Sequence, residues 1–395
     1  MTAVGVKSER EVVEAVREAR EAKQPFDIVA GGTKHAFGRP QALSERTLDV
    51  ARLRGIQSYE PEELILTVLP GTKLTEIELA LSERGQRLGF EPPDSAALFG
   101  SNGISTIGGA VSADTSGSVR VRHGGARDSL LGLRGVNGFG AAFKAGGRVV
   151  KNVTGFDIPK LMCGAFGTLC VLTELTFRVF PRASQSATLM LRDVAPAEGF
   201  QALRRIWSSP LEATGLAYVA PLAIPELLGD IGKGAALFRV EGEAEPLKEK
   251  VQMLRSALGA RDVKDVALGD SAFARLSAAA LFATTAHDVW RVGVPPSEAA
   301  RAAESIGTEL WYGDLAGGVL WFGFEPDNAA SIAKLRAAVA RANGHATLVR
   351  AGLPTRKRVA VFPQETPERA ALTKGIKAAF DPLSLFNPGR MYEGV

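Results

Sequence analysis

The chain has 395 residues, 46% of them hydrophobic and 23% charged, which suits a globular protein of two domains rather than one small core. A formal net charge of +4, with no like-charged run longer than Arg356-Lys357-Arg358, argues against nucleic acid as a partner. No apolar run is long enough for a transmembrane segment, residues 1–20 lack the apolar core of a secretion signal, and two cysteines, Cys163 and Cys170, cannot build a disulfide scaffold or an iron–sulfur site; a cytoplasmic chain is expected.

In chain order, Ser8 and Glu11 form a capping box, and Val12, Val13, Val16 and Ala19 recur at helical spacing. Phe26-Asp27-Ile28-Val29-Ala30 reads as a short strand running straight into Gly31-Gly32-Thr33-Lys34. Strands follow at residues 48–50 and 64–68. Leu74, Ile77 and Leu81 mark a helix that stops at Gly85. Residues 90–117 lack regular patterning yet carry little charge, so an ordered functional loop is expected. Residues 133–151 read as a hairpin turning at Ala145-Gly146-Gly147, and 169–180 as a long apolar strand closed by Pro181. After Pro181 glycine thins out. Strands at 289–294 and 319–324 and helices at 246–258 and 327–341 predict a second, α+β domain. The tail 380–395 regains Pro, Gly and Asn.

Four loops combine glycine with hydroxyl donors. They are Gly31-Gly32-Thr33-Lys34, Ser105-Thr106-Ile107-Gly108-Gly109 (with Asp114 and Ser116 close behind), Lys151-Asn152-Val153-Thr154-Gly155-Phe156-Asp157, and Gly164-Ala165-Phe166-Gly167-Thr168. Successive peptide N–H groups in such turns can form an anion nest, and glycine lacks the Cβ that would block a diphosphate. Each loop alone also reads as an ordinary turn. Four of them together suit a ligand as long as a dinucleotide. The Rossmann G-x-G-x-x-G pattern and the Walker G-x-x-x-x-G-K pattern are both absent, which disfavours the usual NAD and ATP cradles.

These loops resemble those of the vanillyl-alcohol oxidase, or PCMH-type, FAD-binding family. The likeness extends to Phe380-Asp381-Pro382 and Phe386-Asn387-Pro388-Gly389-Arg390. Within that family the short chain, Phe90-Glu91-Pro92-Pro93-Asp94 and the tail resemble the FAD-binding E subunits of bacterial glycolate oxidases. The resemblance implies an α+β fold: a two-lobed PCMH-type FAD-binding domain over 1–181, a cap domain over 182–375, and a segment 376–395 returning to the FAD domain. It implies FAD contacts at Ala30, Gly31, Gly32, Thr33, Lys34, His35, Ser105, Thr106, Ile107, Gly108, Gly109, Asp114, Ser116, Lys151, Asn152, Thr154, Gly155, Asp157, Gly167, Thr168, Asn387 and Arg390. It also implies work beside a homologous FAD subunit and an iron–sulfur subunit, with a small 2-hydroxy acid such as glycolate as substrate and any membrane association made through those partners.

Two departures sharpen the expectation. Many relatives attach FAD through a histidine directly after Gly-Gly; Thr33 stands there, so noncovalent FAD is expected. The His-x-Gly-Asp-Gly-Asn run and Glu-His pair of hydroxy-acid oxidising relatives are missing, and His35, His123, His287 and His345 are not paired at metal-ligand spacing. No metal site is expected. His345 and Arg350 are the catalytic candidates, although strand alternation puts them on opposite faces. An electron-transfer or supporting subunit is thus favoured. A self-sufficient FAD alcohol or hydroxy-acid oxidase and a non-catalytic assembly subunit stay open.

Overall fold

In the computed structural model, which describes residues 2–40, 44, 46–147, 156–259 and 261–395, internal contacts divide the chain into two units. The first comprises residues up to 116, 124–182 and 360–395; the second comprises 117–123 and 183–359.

Among the described residues the first unit holds two sheets. Strands β1 (Thr2–Gly5), β2 (Phe26–Val29) and β3 (Arg46–Asp49) form a parallel sheet in the order β1-β3-β2. The helix Glu9–Ala22 buries Val12, Ala15, Val16 and Ala19, the face its spacing predicts. The Ser8 hydroxyl accepts from Glu11 N–H, and Lys23 closes the helix in the left-handed region. These side chains share a core with Phe26, Leu48, Val171 and Phe386. Burying valines of this kind contributes about 1.5–3 kcal/mol each, so this face fixes the helix on the sheet.

Strands β4 (Ile56–Glu60), β5 (Ile65–Val68), β6 (Gln86–Leu88), β7 (Leu130–Asn137), β8 (Ala142–Gly146) and β9 (Cys170–Pro181) form the second, antiparallel sheet. Its order is β4-β5-β9-β7-β8, with β6 also on β9. The long β9 is its spine. The hairpin β7–β8 turns earlier than its glycines suggest. Its turn is Gly138 to Ala141, where Asn137 Oδ1 accepts from Phe139 N–H (3.0 Å) and Ala141 N–H (3.1 Å), and Gly140 has φ 71°. The asparagine, rather than Ala145-Gly146-Gly147, sets the register.

Among its described residues the second unit holds one antiparallel sheet of eight strands. They are β10 (Gln185–Leu191), β11 (Gly215–Val219), β12 (Ala235–Gly242), β13 (Val263–Asp265), β14 (Asp288–Gly293), β15 (Trp311–Asp314), β16 (Val319–Phe324) and β17 (His345–Arg350). Their order is β13-β10-β12-β11-β15-β16-β14-β17. The helices Pro196–Trp207, Ala244–Leu258, Ala299–Ile306 and Ala329–Arg341 pack against it.

Two boundaries lie where local texture gives no sign. Residues 117–123 join the second unit because Ser118 is committed there: its N–H donates to Ser277 Oγ (3.1 Å) and its hydroxyl to Asp314 Oδ2 (2.7 Å). The chain re-enters the first unit at residue 360 rather than 376. The helix Pro367–Phe380 has the composition of the second unit, yet Ile376 and Phe380 pack on the first unit's core.

Lys377, 3% exposed, anchors this return. Its ammonium donates to Thr168 O (2.6 Å), Asp381 Oδ2 (2.9 Å) and Phe386 O (3.2 Å). Asp381, fully buried, also accepts from the N–H groups of Leu385 (2.9 Å) and Phe386 (2.9 Å). Phe386 then runs parallel beside Phe26, which brings the C-terminal residues against β2.

Candidate functional site

The strand β2 ends at a cleft of the first unit with about 800 Å³ of empty volume, its open mouth included. Its walls are residues 28–35, Val50, Pro70, Thr106, Gly108, Gly109, Ser112, Ala113, residues 166 and 167, residues 170–172, Asn387 and Arg390.

The loop after β2 contributes most of the polar surface. Gly31 cannot carry a side chain, since a Cβ there would stand 1.6 Å from Ile104 O. That backbone contact is closed by Ile104 N–H donating to Gly31 O at 3.0 Å. Gly32 has φ 71° and faces open space, the conformation that favours glycine. The backbone N–H groups of Gly31, Gly32, Thr33, Lys34 and His35 donate to no protein acceptor among the described residues. Buried backbone donors are nearly always paired. Thr33 and Lys34 are buried and Gly32 and His35 exposed, so the run of amides along the cleft has the form of an anion nest.

Lys34 adds charge to the nest. It is 8% exposed, and its one protein partner among the described residues is the Thr33 hydroxyl, 3.3 Å from Nζ. Burial pulls the ammonium down to about 8, with the field of Asp94 opposing. Two N–H donors of a buried cation are therefore left facing the cleft. Arg390 supports the loop from behind, donating from Nη2 to Lys34 O at 2.9 Å.

The second glycine loop serves differently from its appearance. Ile107 N–H donates to Thr72 O (3.0 Å) and Gly108 N–H to Pro70 O (2.9 Å), while the Thr106 hydroxyl accepts from Gly109 N–H (3.4 Å). These amides are spent within the protein. Gly108 is needed for packing, because a Cβ would come 2.6 Å from Pro70 Cβ. Ile107 is a core residue at 0% exposure, away from the cleft wall. Thr106, Gly108 and Gly109 do line the cleft, and Ser105 stands just behind it.

Other expected contacts fall elsewhere. Asp114 lies beside Cys163, whose thiol donates to it at 3.5 Å, and Ser116 accepts from Ala126 N–H at 3.2 Å. Neither lines the cleft. Asp157 is exposed and pairs with Lys160 at 2.8 Å. Thr168 is buried and turned inward, its hydroxyl donating to Ala165 O at 2.8 Å. Lys151, Asn152, Thr154 and Gly155 lie outside the described residues.

Asn387 lines the cleft but works as a bracket. Its Oδ1 accepts from Ile28 N–H (2.9 Å), and its Nδ2 donates to Phe166 O (2.8 Å) and Gly167 O (3.4 Å). It thus joins β2 to the loop before β9. Asn387→Ala leaves three backbone groups, Ile28 N–H, Phe166 O and Gly167 O, without this partner, at about 1–3 kcal/mol for a buried one. Urea denaturation is expected to show a loss of about 3 kcal/mol; a wild-type midpoint with an unchanged slope would contradict this role.

Ser112, Ala113, Val50, Pro70 and Cys170 to Leu172 were not foreseen as cleft residues. Ser112 and Ala113 had a signal: they follow Gly108 and Gly109 by four positions, on the same face of the helix Ile107–Ser112 and its cap. The Cys170 thiol touches Met162 Sδ at 3.5 Å and is pushed up to about 12 by burial, so it is an inert wall.

His345 and Arg350 form no joint site. His345 is exposed at the start of β17, its ring over Gly293. Arg350, at the strand's other end, donates to the carbonyls of Phe282 (2.7 Å), Thr285 (2.8 Å) and His287 (2.8 Å). That arginine ties a turn to the sheet edge. Among the described residues no three His, Cys, Asp or Glu side chains gather at metal-ligand distance, and no helix is long and apolar enough to cross a membrane.

Comparison with known proteins fits this geometry. A family model described as an FAD binding domain matches residues 2–146. The fold matches p-cresol methylhydroxylase with a TM-score of 0.73 at 15% identity, covering 98% of this chain and 88% of that one. The glycolate oxidase subunit GlcE of Escherichia coli is 31% identical over 96% of both chains. Glycolate oxidase subunit GlcD of Bacillus subtilis is 32% identical over 34% of this chain and 27% of its own length. Fold and cleft thus define an FAD-linked oxidoreductase with the PCMH-type FAD-binding fold, and FAD is its cofactor. More narrowly, the chain belongs to the glycolate oxidase E-subunit family.

Proposed function

We propose that this chain holds FAD noncovalently as one subunit of an assembly that oxidises a small 2-hydroxy acid, glycolate being the first candidate. The FAD diphosphate would lie against the amides of Gly31 to His35 and the Lys34 ammonium. The observation that carries this placement is the run of unpaired amides beside a buried cation with unused donors. FAD, when bound, supplies reversible acceptance of electrons and their onward transfer. The chain's own residues bind and orient. Asn387 and Arg390 fix the loop, Gly31 and Gly108 let the backbone pack against Ile104 and Pro70, and Val50, Val171 and Leu172 give the cleft an apolar wall.

We assign this chain to electron transfer or support, beside a homologous flavoprotein subunit and an iron–sulfur subunit. Support comes from the likeness to GlcE along the whole chain and to GlcD over part of it, and from Arg350, which is spent on backbone carbonyls. The missing hydroxy-acid histidines point the same way. Noncovalent binding rests on Thr33, which stands directly after Gly31-Gly32, where histidine-linked relatives carry their attachment site.

One experiment tests both parts. The chain is purified alone, its flavin spectrum is followed anaerobically with glycolate and D-lactate, and the protein is then precipitated with acid. The expected result is an unbleached flavin that leaves with the supernatant. Bleaching of the isolated chain would make it a self-sufficient oxidase. Flavin retained in the pellet would refute noncovalent binding, and a chain that never takes up FAD would be an assembly subunit.

A further inference from the structure

Phe37, Phe99, Phe166 and Phe362 form an aromatic cluster within the first unit. They come from separate stretches of chain: the end of the first glycine loop, the irregular stretch before the helix Ile107–Ser112, the loop before β9, and the segment where the chain re-enters the first unit. Phe166 meets Phe37 edge-on, with ring centroids 4.9 Å apart, and Phe362 at 5.1 Å. Phe37 also stacks on Phe99 at 5.8 Å and on Phe362 at 6.3 Å. Phe37, Phe166 and Phe362 are buried. Of the cluster, Phe166 is the member that lines the cleft.

Phe166 holds its place under strain. Its φ is 53°, in the left-handed region that penalises a residue with a Cβ. Such a conformation persists only where the surroundings over-determine it. Here they do. Phe166 N–H donates to Ser112 O at 2.8 Å, and its carbonyl accepts from Asn387 Nδ2 at 2.8 Å. The backbone is thus pinned on both sides, and the ring is pinned with it. Phe37 carries the constraint into the glycine loop. Its N–H donates to Lys34 O at 3.0 Å, closing the turn 34–37, and the same carbonyl accepts from Arg390 Nη2. A Phe37 ring packed against Phe99, Phe166 and Phe362 therefore fixes where this turn ends.

We infer that Phe166 and Phe362 are positioning residues for the cofactor: their rings pin Phe37, and through it the glycine loop keeps its binding shape before FAD arrives. This rests on the diphosphate reading given above. A loop ordered in advance binds more tightly, because no ordering entropy is lost at the moment of binding. Phe362 is the informative member. It does not line the cleft, so it reaches the cofactor only through Phe37 and Phe166.

The test measures FAD affinity of the full-length apoprotein by flavin fluorescence quenching, together with its melting temperature. The variants are Phe166→Leu, Phe362→Leu, their double, Phe177→Leu and Lys34→Met. Leucine keeps most of the apolar volume and loses the ring-on-ring contacts. Phe166→Leu and Phe362→Leu should each bind FAD roughly fivefold more weakly. The double variant should lose less than the product of the two, since both rings act on Phe37. Phe177, packed against Phe90 in the first unit's core, is the control: Phe177→Leu should lower the melting temperature and leave FAD affinity unchanged. Wild-type affinity in Phe362→Leu, an equal loss in Phe177→Leu, or a double variant that loses the full product overturns the positioning role and leaves the diphosphate reading intact. Lys34→Met separates the two: if it binds FAD with wild-type affinity, the diphosphate reading fails and the positioning role with it. If Phe166→Leu or Phe362→Leu fails to fold, Phe99→Leu, at the half-buried ring stacked on Phe37, replaces it with the same expected loss.

Discussion

Lys377→Met is expected to lower the stability of the first unit by about 3–5 kcal/mol, because it removes one partner of a buried ion pair and leaves the other charged. Asp381 would remain fully buried with only the N–H groups of Leu385 and Phe386 to hold its charge. Two backbone carbonyls, Thr168 O and Phe386 O, would lose their donor as well. The effect reaches the cleft because these bonds hold the C-terminal segment beside β2, where Asn387 and Arg390 brace the glycine loop. Urea denaturation of Lys377→Met, Asp381→Asn and Lys377→Met/Asp381→Leu checks the claim. The double variant should lose less than Lys377→Met alone, since no charge is left buried without a partner. A double variant that loses the sum of the two single costs would show that Lys377 and Asp381 act independently.

Lys34→Met is expected to act in opposite directions on the apoprotein and on the cofactor. Burial holds the Lys34 ammonium at about 8 against 10.5, so charging it in the folded apoprotein costs about 3 kcal/mol. Methionine fills the same space without that cost, and the apoprotein should melt no lower than wild type. FAD, by contrast, loses a charge-assisted contact of about 2 kcal/mol, roughly thirtyfold in Kd at about pH 7. The pH dependence follows with its sign. An anionic diphosphate favours the charged lysine, so the bound group titrates above the free group's value of about 8. The lysine contribution to affinity is complete below about 8 and fades as pH rises through the bound value. The apoprotein shows the reverse. Its folded value lies below the unfolded one, so between about 8 and 10.5 the unfolded chain binds more protons and stability rises with pH. Tight, pH-independent FAD binding by wild type across this range would remove Lys34 from the cofactor site.

Much of the first unit was legible because its signals are local. Ser8 and Glu11 start a helix, Phe26 to Val29 alternate into a strand, and the apolar run before Pro181 gives β9. That the first glycine loop lines a cleft was legible for the same reason: strand, Gly-Gly and a cation lie within a few residues. The second loop was legible only in part: Thr106, Gly108 and Gly109 line the cleft, yet Pro70, distant in sequence, takes the Gly108 N–H and occupies the space a Cβ would need. The hairpin turn went the same way, since three small residues suggested 145–147 while Asn137 bonded two amides at 138–141.

What the sequence by itself determined is the cofactor class and the local elements of the first unit, because glycine conformations, caps and strand periods act over a few residues. Only the tertiary structure decided which of the small-residue loops face the cleft. It decided that Asn387, Lys377 and Arg390 are braces, that Arg350 is spent on three carbonyls, and that residues 117–123 and 360–375 each belong to the unit opposite to their texture. The physical reason is that each of these roles depends on a hydrogen-bond partner or a packed core brought close only by folding: Asn387 meets Ile28 across 359 positions and Lys377 meets Thr168 across 209.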